Sequence, residues 1–175
     1  MKSFVSAAFL LLITLHQSAF ANPYFGFQYG SVDVPLDAEV MQGEMWNFGF
    51  TTGYQISRNF AIEGQVTRSM NDAELEKGVF LESQTRGALA KFRTNDAIHL
   101  IGEVGVVQLK YKLIAGNDYV NSREWAYTYG GGIGYDIESV TFELLYQYLN
   151  AADPFEENRF NSNNHFFNIG VRFNL

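Results

Sequence analysis

Cysteine is missing from all 175 residues, which excludes a lipoprotein anchor, a disulfide scaffold and any thiolate metal site. Basic residues are scarce: 12 Lys and Arg stand against 19 Asp and Glu. That balance argues against nucleic acid, whose binding is driven by neutralising phosphates. After residue 21 no apolar run reaches the roughly 18 residues that a membrane-spanning helix needs. Nor is there a two-histidine metal spacing, a phosphate-cradling glycine loop or a Gly-x-Ser-x-Gly elbow. Outside the first 21 residues the only histidines are His99 and His165, on different segments near opposite ends. No catalytic residue, metal or cofactor is expected.

What is present is aromatic: 16 Phe and 10 Tyr, with 16 Gly among them. At the N-terminus Lys2, the apolar stretch Val5 to Leu15 and the small-residue site Ala19-Phe20-Ala21 read as a cleaved signal peptide, residues 1–21. Loss of Lys2 with it shifts the formal net charge from −7 to −8. Residues 22–175 then suit one domain.

The final stretch, His165 to Leu175, alternates with period two. Phe167, Ile169, Val171, Phe173 and Leu175 occupy one strand face, and Asn168, Gly170, Arg172 and Asn174 the other. Similar alternation recurs upstream in segments of roughly ten residues. Trp46, Phe48, Phe50 and Tyr54 oppose Asn47, Gly49, Thr51 and Gly53, and Phe142, Leu144, Tyr146 and Tyr148 oppose Thr141, Glu143 and Gln147. The separators alternate in length. Ser57 to Asn59, Thr94 to Asp96 and Asp136 to Ser139 are short; Val34 to Gly43, Met70 to Gly78, Ile114 to Arg123 and Ala151 to Asn163 are long. Three short and four long connections join eight strands, with both chain ends on the short-turn side.

A soluble barrel buries its apolar face. Here the second face carries Glu, Gln, Asn, Thr, Arg and Gly, which suit a hydrogen-bonded lumen rather than an apolar core. The expected fold is all-β, an eight-stranded antiparallel up-and-down transmembrane β-barrel with aromatics against lipid. Two segments break the pattern. In Val79 to Arg93, Glu82, Gln84 and Arg86 set an inward parity that Phe92 shares, which predicts a bulge near Gly87 or a girdle residue turned inward. In Ala97 to Lys112 a change of parity near Val107 would turn Leu109 and Tyr111 outward.

On this reading Glu143 and Arg172 are level inward neighbours, as are Glu103 and Arg86. With Glu63 nearby, these predict an ion-pair network that plugs the lumen or gates a narrow pore. The loops are rich in Asp, Glu and Asn. Arg68, Lys110, Lys112 and Arg123 fall near the outer rim, where they would contact lipopolysaccharide phosphates.

Segments such as G-Y-Q-I-S-R-N-F-A-I-E-G and G-G-I-G-Y-D-I-E-S-V-T-F-E-L-L-Y-Q-Y resemble the strand-turn-strand units of small OmpA/OmpX-like outer-membrane barrels, over the whole of residues 22–175. Asn168, Gly170, Phe173 and Leu175 resemble that family's C-terminal assembly signal, although Leu175 stands where the family usually has Phe or Trp. The resemblance implies a Gram-negative outer membrane location and a non-enzymatic role in membrane integrity, adhesion or surface interaction. It also implies recognition by the barrel-assembly machinery, contact with lipid and lipopolysaccharide, a host or surface ligand at the loops, and a monomer. The alternatives are a small-solute channel and a lipid A-modifying enzyme. The resemblance does not favour the latter, because lipid A deacylating barrels use His-x-Ser and no Ser stands two residues from His99 or His165.

Overall fold

The computed structural model describes residues 22–33, 45–76, 78–116, 118–151 and 163–175. The expected signal peptide and the loops at 34–43 and 152–162 lie outside the described residues. The strands are β1 (Asn22–Asp33), β2 (Met45–Gln55), β3 (Phe60–Ser69), β4 (Ala73–Glu76), β5 (Val79–Arg93), β6 (Ile98–Ala115), β7 (Asp118–Ile137), β8 (Val140–Ala151) and β9 (Asn163–Asn174). Each long strand pairs antiparallel with its sequence neighbours, and β1 pairs with β9, which closes the cylinder. β3 and β4 lie successively along β5, against Phe92 to Gln84 and then Leu81 to Val79, so the two together make one stave of an eight-stranded barrel.

The faces are inverted relative to a soluble protein. Phe48, Phe50, Tyr127 and Phe142 are exposed, whereas Glu63, Lys91, Glu103, Glu143 and Arg172 are buried. No helix among the described residues is long and apolar enough to cross a membrane, so the apolar exterior belongs to strands.

The register sets the height of every outer residue. One hydrogen-bonded row runs from Tyr135 on β7 through Phe142, Val171, Phe27, Phe50, Val66, Arg86 and Gln108, and returns to β7 at Trp125. Its two ends are ten residues apart on the same strand, which is the shear of the barrel. With strands tilted by about 40°, ten residues climb about 25 Å, the height of the apolar band of an outer-membrane barrel. A single circuit therefore passes from the periplasmic edge of the membrane to the outer edge. Tyr135 and Trp125 mark the two aromatic girdles.

Three expectations are corrected. First, β5 has continuous register with β3 and β6 through Gly87, without a bulge. Leu81, Ser83, Thr85, Leu89 and Lys91 face inward; Gln84, Arg86 and Phe92 face outward. Arg86 is six of the eight steps along the climbing row, in the upper part of the band, and its long side chain carries the charge toward the interface. Second, β6 keeps one parity throughout, and Leu109 and Tyr111 are buried inside. Third, the connection expected from Ile114 to Arg123 is mostly strand: β6 continues to Ala115 and β7 starts at Asp118. Gly116 at φ 63 supplies the left-handed position that this tight turn requires.

The correction at β6 changes the interior. Val32, Met45, Leu81, Val107, Leu109, Tyr111, Leu149 and Phe166 form an apolar cluster inside the extracellular part of the barrel. Polar side chains are interspersed there too, among them Asn47, Ser83 and Asn164, but the continuous charged layer lies below that level.

Candidate functional site

The charged layer lies in the periplasmic half of the lumen. Lys91, on the lower part of β5, is at its centre. The Nζ atom is 3.1 Å from Glu63 Oε2 on β3, 3.0 Å from Glu143 Oε2 on β8 and 3.9 Å from Glu103 Oε2 on β6. Tyr24 on β1 donates its hydroxyl to Glu63 Oε2 at 3.1 Å, and Gly53 opposite leaves room for the phenol, since a Cβ there would lie 2.5 Å from the ring. Arg172 on β9 places Nη1 3.3 Å from Glu143 Oε1, donates from Nη2 to Thr141 Oγ1 at 3.1 Å, and stacks its guanidinium 4.8 Å above the Tyr24 ring. Six strands thus converge on one knot of charges screened from water.

Of the expected network, Glu63, Glu103, Glu143 and Arg172 are brought together and Arg86 is not. Arg86 donates through Nε and Nη2 to Gln108 Oε1 at 3.0 and 2.6 Å on the outer surface. Lys91 takes the place expected for it. Sequence reasoning missed Lys91 because Glu82, Gln84 and Arg86 were read as the inward set of β5. The signal lay lower on the same strand: Ala88, Ala90 and Phe92 form an apolar lipid-facing set that leaves Lys91 inside.

Below the knot, Asp136 binds Arg93 and accepts from Thr141 Oγ1 at 2.6 Å, with His99 Nδ1 3.7 Å away. This cluster borders a recess of about 500 Å³ at the periplasmic mouth, reached by Arg58, Asn95 and Glu138 from the short turns. Above the knot, Asn168 donates to Gln147 Oε1 at 3.2 Å and Gln147 donates to Gln65 Oε1 at 3.4 Å, a layer of amides. The apolar cluster follows. From periplasm to exterior the lumen therefore runs from charged to amide to a mainly apolar layer that includes buried Asn47, Ser83 and Asn164.

The outer rim carries the second constellation. Arg68, Lys110 and Lys112 line a recess of about 470 Å³ with Glu82, Tyr119 and Asn121, and Arg123 is exposed beside Lys110 in the β6–β7 register. Lys112 is 3.6 Å from Glu82 and 5.7 Å from the Tyr119 ring centre. All four basic residues expected at the rim share the outer surface of adjacent strands, and Arg86 stands directly below them.

The C-terminal residues occupy both faces of β9. Asn168 belongs to the amide layer and Gly170 packs inside near Glu143. Phe173 stacks on Phe25 with ring centres 5.2 Å apart, and the Leu175 amide donates to Pro23 carbonyl oxygen at 3.0 Å across the closing seam.

Among the described residues neither histidine is hydrogen-bonded to a serine hydroxyl. His165 lies on the outer surface, with Nδ1 2.5 Å from the Tyr146 hydroxyl. His99 is buried, and neither ring nitrogen has a hydrogen-bond partner among the described residues. No group of three or more His, Asp or Glu among the described residues is arranged to hold a metal ion.

A family model described as the outer membrane protein beta-barrel domain matches residues 4–174. No curated protein sequence matches the chain. Neisserial surface protein A superposes with a TM-score of 0.70 at 12% identity, covering 90% of this chain and 98% of that one. Ail, the attachment invasion locus protein of Yersinia pestis, in complex with the heparin analogue sucrose octasulfate, superposes at 0.64 and 14% identity, covering 89% and 99%. The outer membrane enzyme PagL superposes at 0.51 and 8% identity, covering 87% and 99%. At these identities the likeness is one of fold.

Proposed function

The chain belongs to the outer-membrane β-barrel family, and from that premise we propose that it is a closed, non-enzymatic barrel that acts through its outer rim. The observation that carries this reading is the layered lumen. A solute passing the amide layer would meet Val107, Leu109, Leu149 and Phe166 packed within the cylinder, and the polar side chains among them, such as Asn47, Ser83 and Asn164, are themselves buried. Transport through the centre is therefore disfavoured, and the surface is left as the working part.

At that surface Arg68, Lys110, Lys112 and Arg123 take phosphates of lipopolysaccharide, aided by Arg86 at the interface. Ail, a structural neighbour, was crystallised with a sulfated heparin analogue, which supports an anionic saccharide as the class of ligand for such a rim. The enzymatic alternative has less support. Among the described residues neither His99 nor His165 holds a serine hydroxyl, although the fold itself is shared with an enzyme. In biogenesis, residues 1–21 act as the cleaved leader, and Asn168, Gly170, Phe173 and Leu175 as the signal read by the assembly machinery. The barrel works as a monomer in the outer membrane.

Planar-bilayer recording of the purified barrel tests the closed lumen. The expected result is a silent bilayer at moderate voltage. Stable ohmic steps would replace this reading with that of a narrow channel, in which Lys91 exchanges between Glu63 and Glu143.

A further inference from the structure

The knot around Lys91 contains three carboxylates, Glu63, Glu103 and Glu143, and two cationic side chains, Lys91 and Arg172. Counted formally, the layer is short of one positive charge. The shortage is localised. Glu63 has Lys91 and the Tyr24 hydroxyl, and Glu143 has Lys91 and Arg172, each within 3.3 Å. Glu103 has the distant approach of Lys91 at 3.9 Å and a side-chain hydrogen bond from Gln147, and its side chain is 1% exposed. Burial of a carboxylate so thinly compensated is strongly unfavourable.

The surroundings of Glu103 suit a small ion. Opposite it in register is Gly130, where a Cβ would lie 3.0 Å from Glu103 Oε1, so only a glycine there lets the carboxylate reach across the inner face of β7. Gln147, the partner of Gly130 on the other side, brings its side-chain amide over that glycine to Glu103, while its Oε1 accepts from Asn168. Thr128, two residues further up the inner face of β7, is 2% exposed and its hydroxyl has no hydrogen-bond partner among the described residues. The Glu103 carboxylate and the Thr128 hydroxyl are hard oxygen donors. Only one charge is lacking, and a divalent ion beside the Lys91 ammonium would overshoot the balance.

We propose that the lumen holds one monovalent cation, such as Na⁺ or K⁺, seated on Glu103 between Gly130 and Gln147. It enters from the periplasmic mouth, because on the outer side the apolar cluster of Val107, Leu109, Leu149 and Phe166 bars a charged species. The cation completes the neutralisation that Lys91 and Arg172 begin.

The test measures thermal unfolding of the full barrel in micelles, with chloride salts of Na⁺, K⁺ or N-methyl-D-glucamine at equal ionic strength and fixed pH. The last cation is too large for the lumen. The wild type is expected to unfold about 3 °C or more lower in N-methyl-D-glucamine. Glu103→Gln is expected to lose that difference and to unfold in the large cation at or above the wild-type temperature. Gln147→Lys, which supplies a tethered ammonium opposite Glu103, is expected to lose the difference as well, and it decides the matter should Glu103→Gln fail to fold. Equal wild-type midpoints in all three salts would overturn the proposal, including the case where a shift appears only on acidification, since a proton then supplies the charge. A difference that persists in both variants would equally overturn it, because the ion would then sit elsewhere.

Discussion

At the scale of single residues, Lys91 contributes most to the interior because it is shared. Its ammonium faces three carboxylates in a space that water does not reach, so its removal leaves a cluster of like charges with Arg172 as the remaining cation. Lys91→Met is expected to lower the free energy of unfolding by about 3–5 kcal/mol. Arg172→Ala should cost nearly as much. Arg58→Ala, on an exposed turn, should change stability by less than about 0.5 kcal/mol. Urea unfolding in micelles or vesicles, followed by tryptophan fluorescence, ranks the three; an Arg172→Ala midpoint equal to that of Arg58→Ala would remove Arg172 from the network. Lys91 also illustrates what one strand conceals. The charges of Glu82, Gln84 and Arg86 suggest a lumen-facing set, yet they lie where β5 rises past the hydrocarbon, and polarity there marks height rather than side.

At the scale of the strand, position along the climbing register row decides what an outer substitution does. Phe50 and Gln108 belong to the same row, but Phe50 is about midway up the apolar band and Gln108 near its upper edge. Phe50→Arg is expected to destabilise by about 2–4 kcal/mol and Gln108→Arg by less than about 1 kcal/mol. Comparable losses for the two, measured by reversible unfolding into urea from lipid vesicles, would show that the row does not climb as the register requires. β6 and β7, the longest strands, carry the same rule furthest. Their apolar alternation ends near Val106 and Trp125, and Lys110, Lys112 and Arg123 follow on the part that stands clear of lipid.

At the scale of the whole molecule, the barrel separates a hydrogen-bonded, ion-paired interior from a charged rim. If the rim holds phosphates, the combined variant Arg68→Ala, Lys110→Ala, Lys112→Ala should bind lipopolysaccharide at least about tenfold more weakly, given that charge-assisted phosphate contacts are each about twice as strong as neutral ones. Surface plasmon resonance on vesicle-embedded barrel reads this directly. Wild-type binding should fall as salt is raised, because exposed charges are screened beyond about 8 Å at physiological ionic strength. Affinity that is independent of salt and unchanged in the triple variant would direct attention from the rim to the loops.

Period-two alternation was enough to identify an inside-out barrel. The faces of β1, β2, β3, β7, β8 and β9 follow directly from which residues are greasy, because lipid on one side and a narrow lumen on the other allow no compromise at mid-membrane. The same rule made Glu63, Glu103, Glu143 and Arg172 legible as inward groups. It failed where a strand leaves the bilayer. There the outer surface becomes polar, as at Arg86 and Lys110, and the inner one apolar, as at Leu109 and Tyr111, so alternation persists while its meaning reverses. Only the closed register, with its shift of ten residues around the cylinder, decides the height at which each strand makes that change. Height is a property of pairing between strands, and for that reason the partner of Glu103, the apolar seal and the outward turn of Arg86 belonged to the tertiary structure alone.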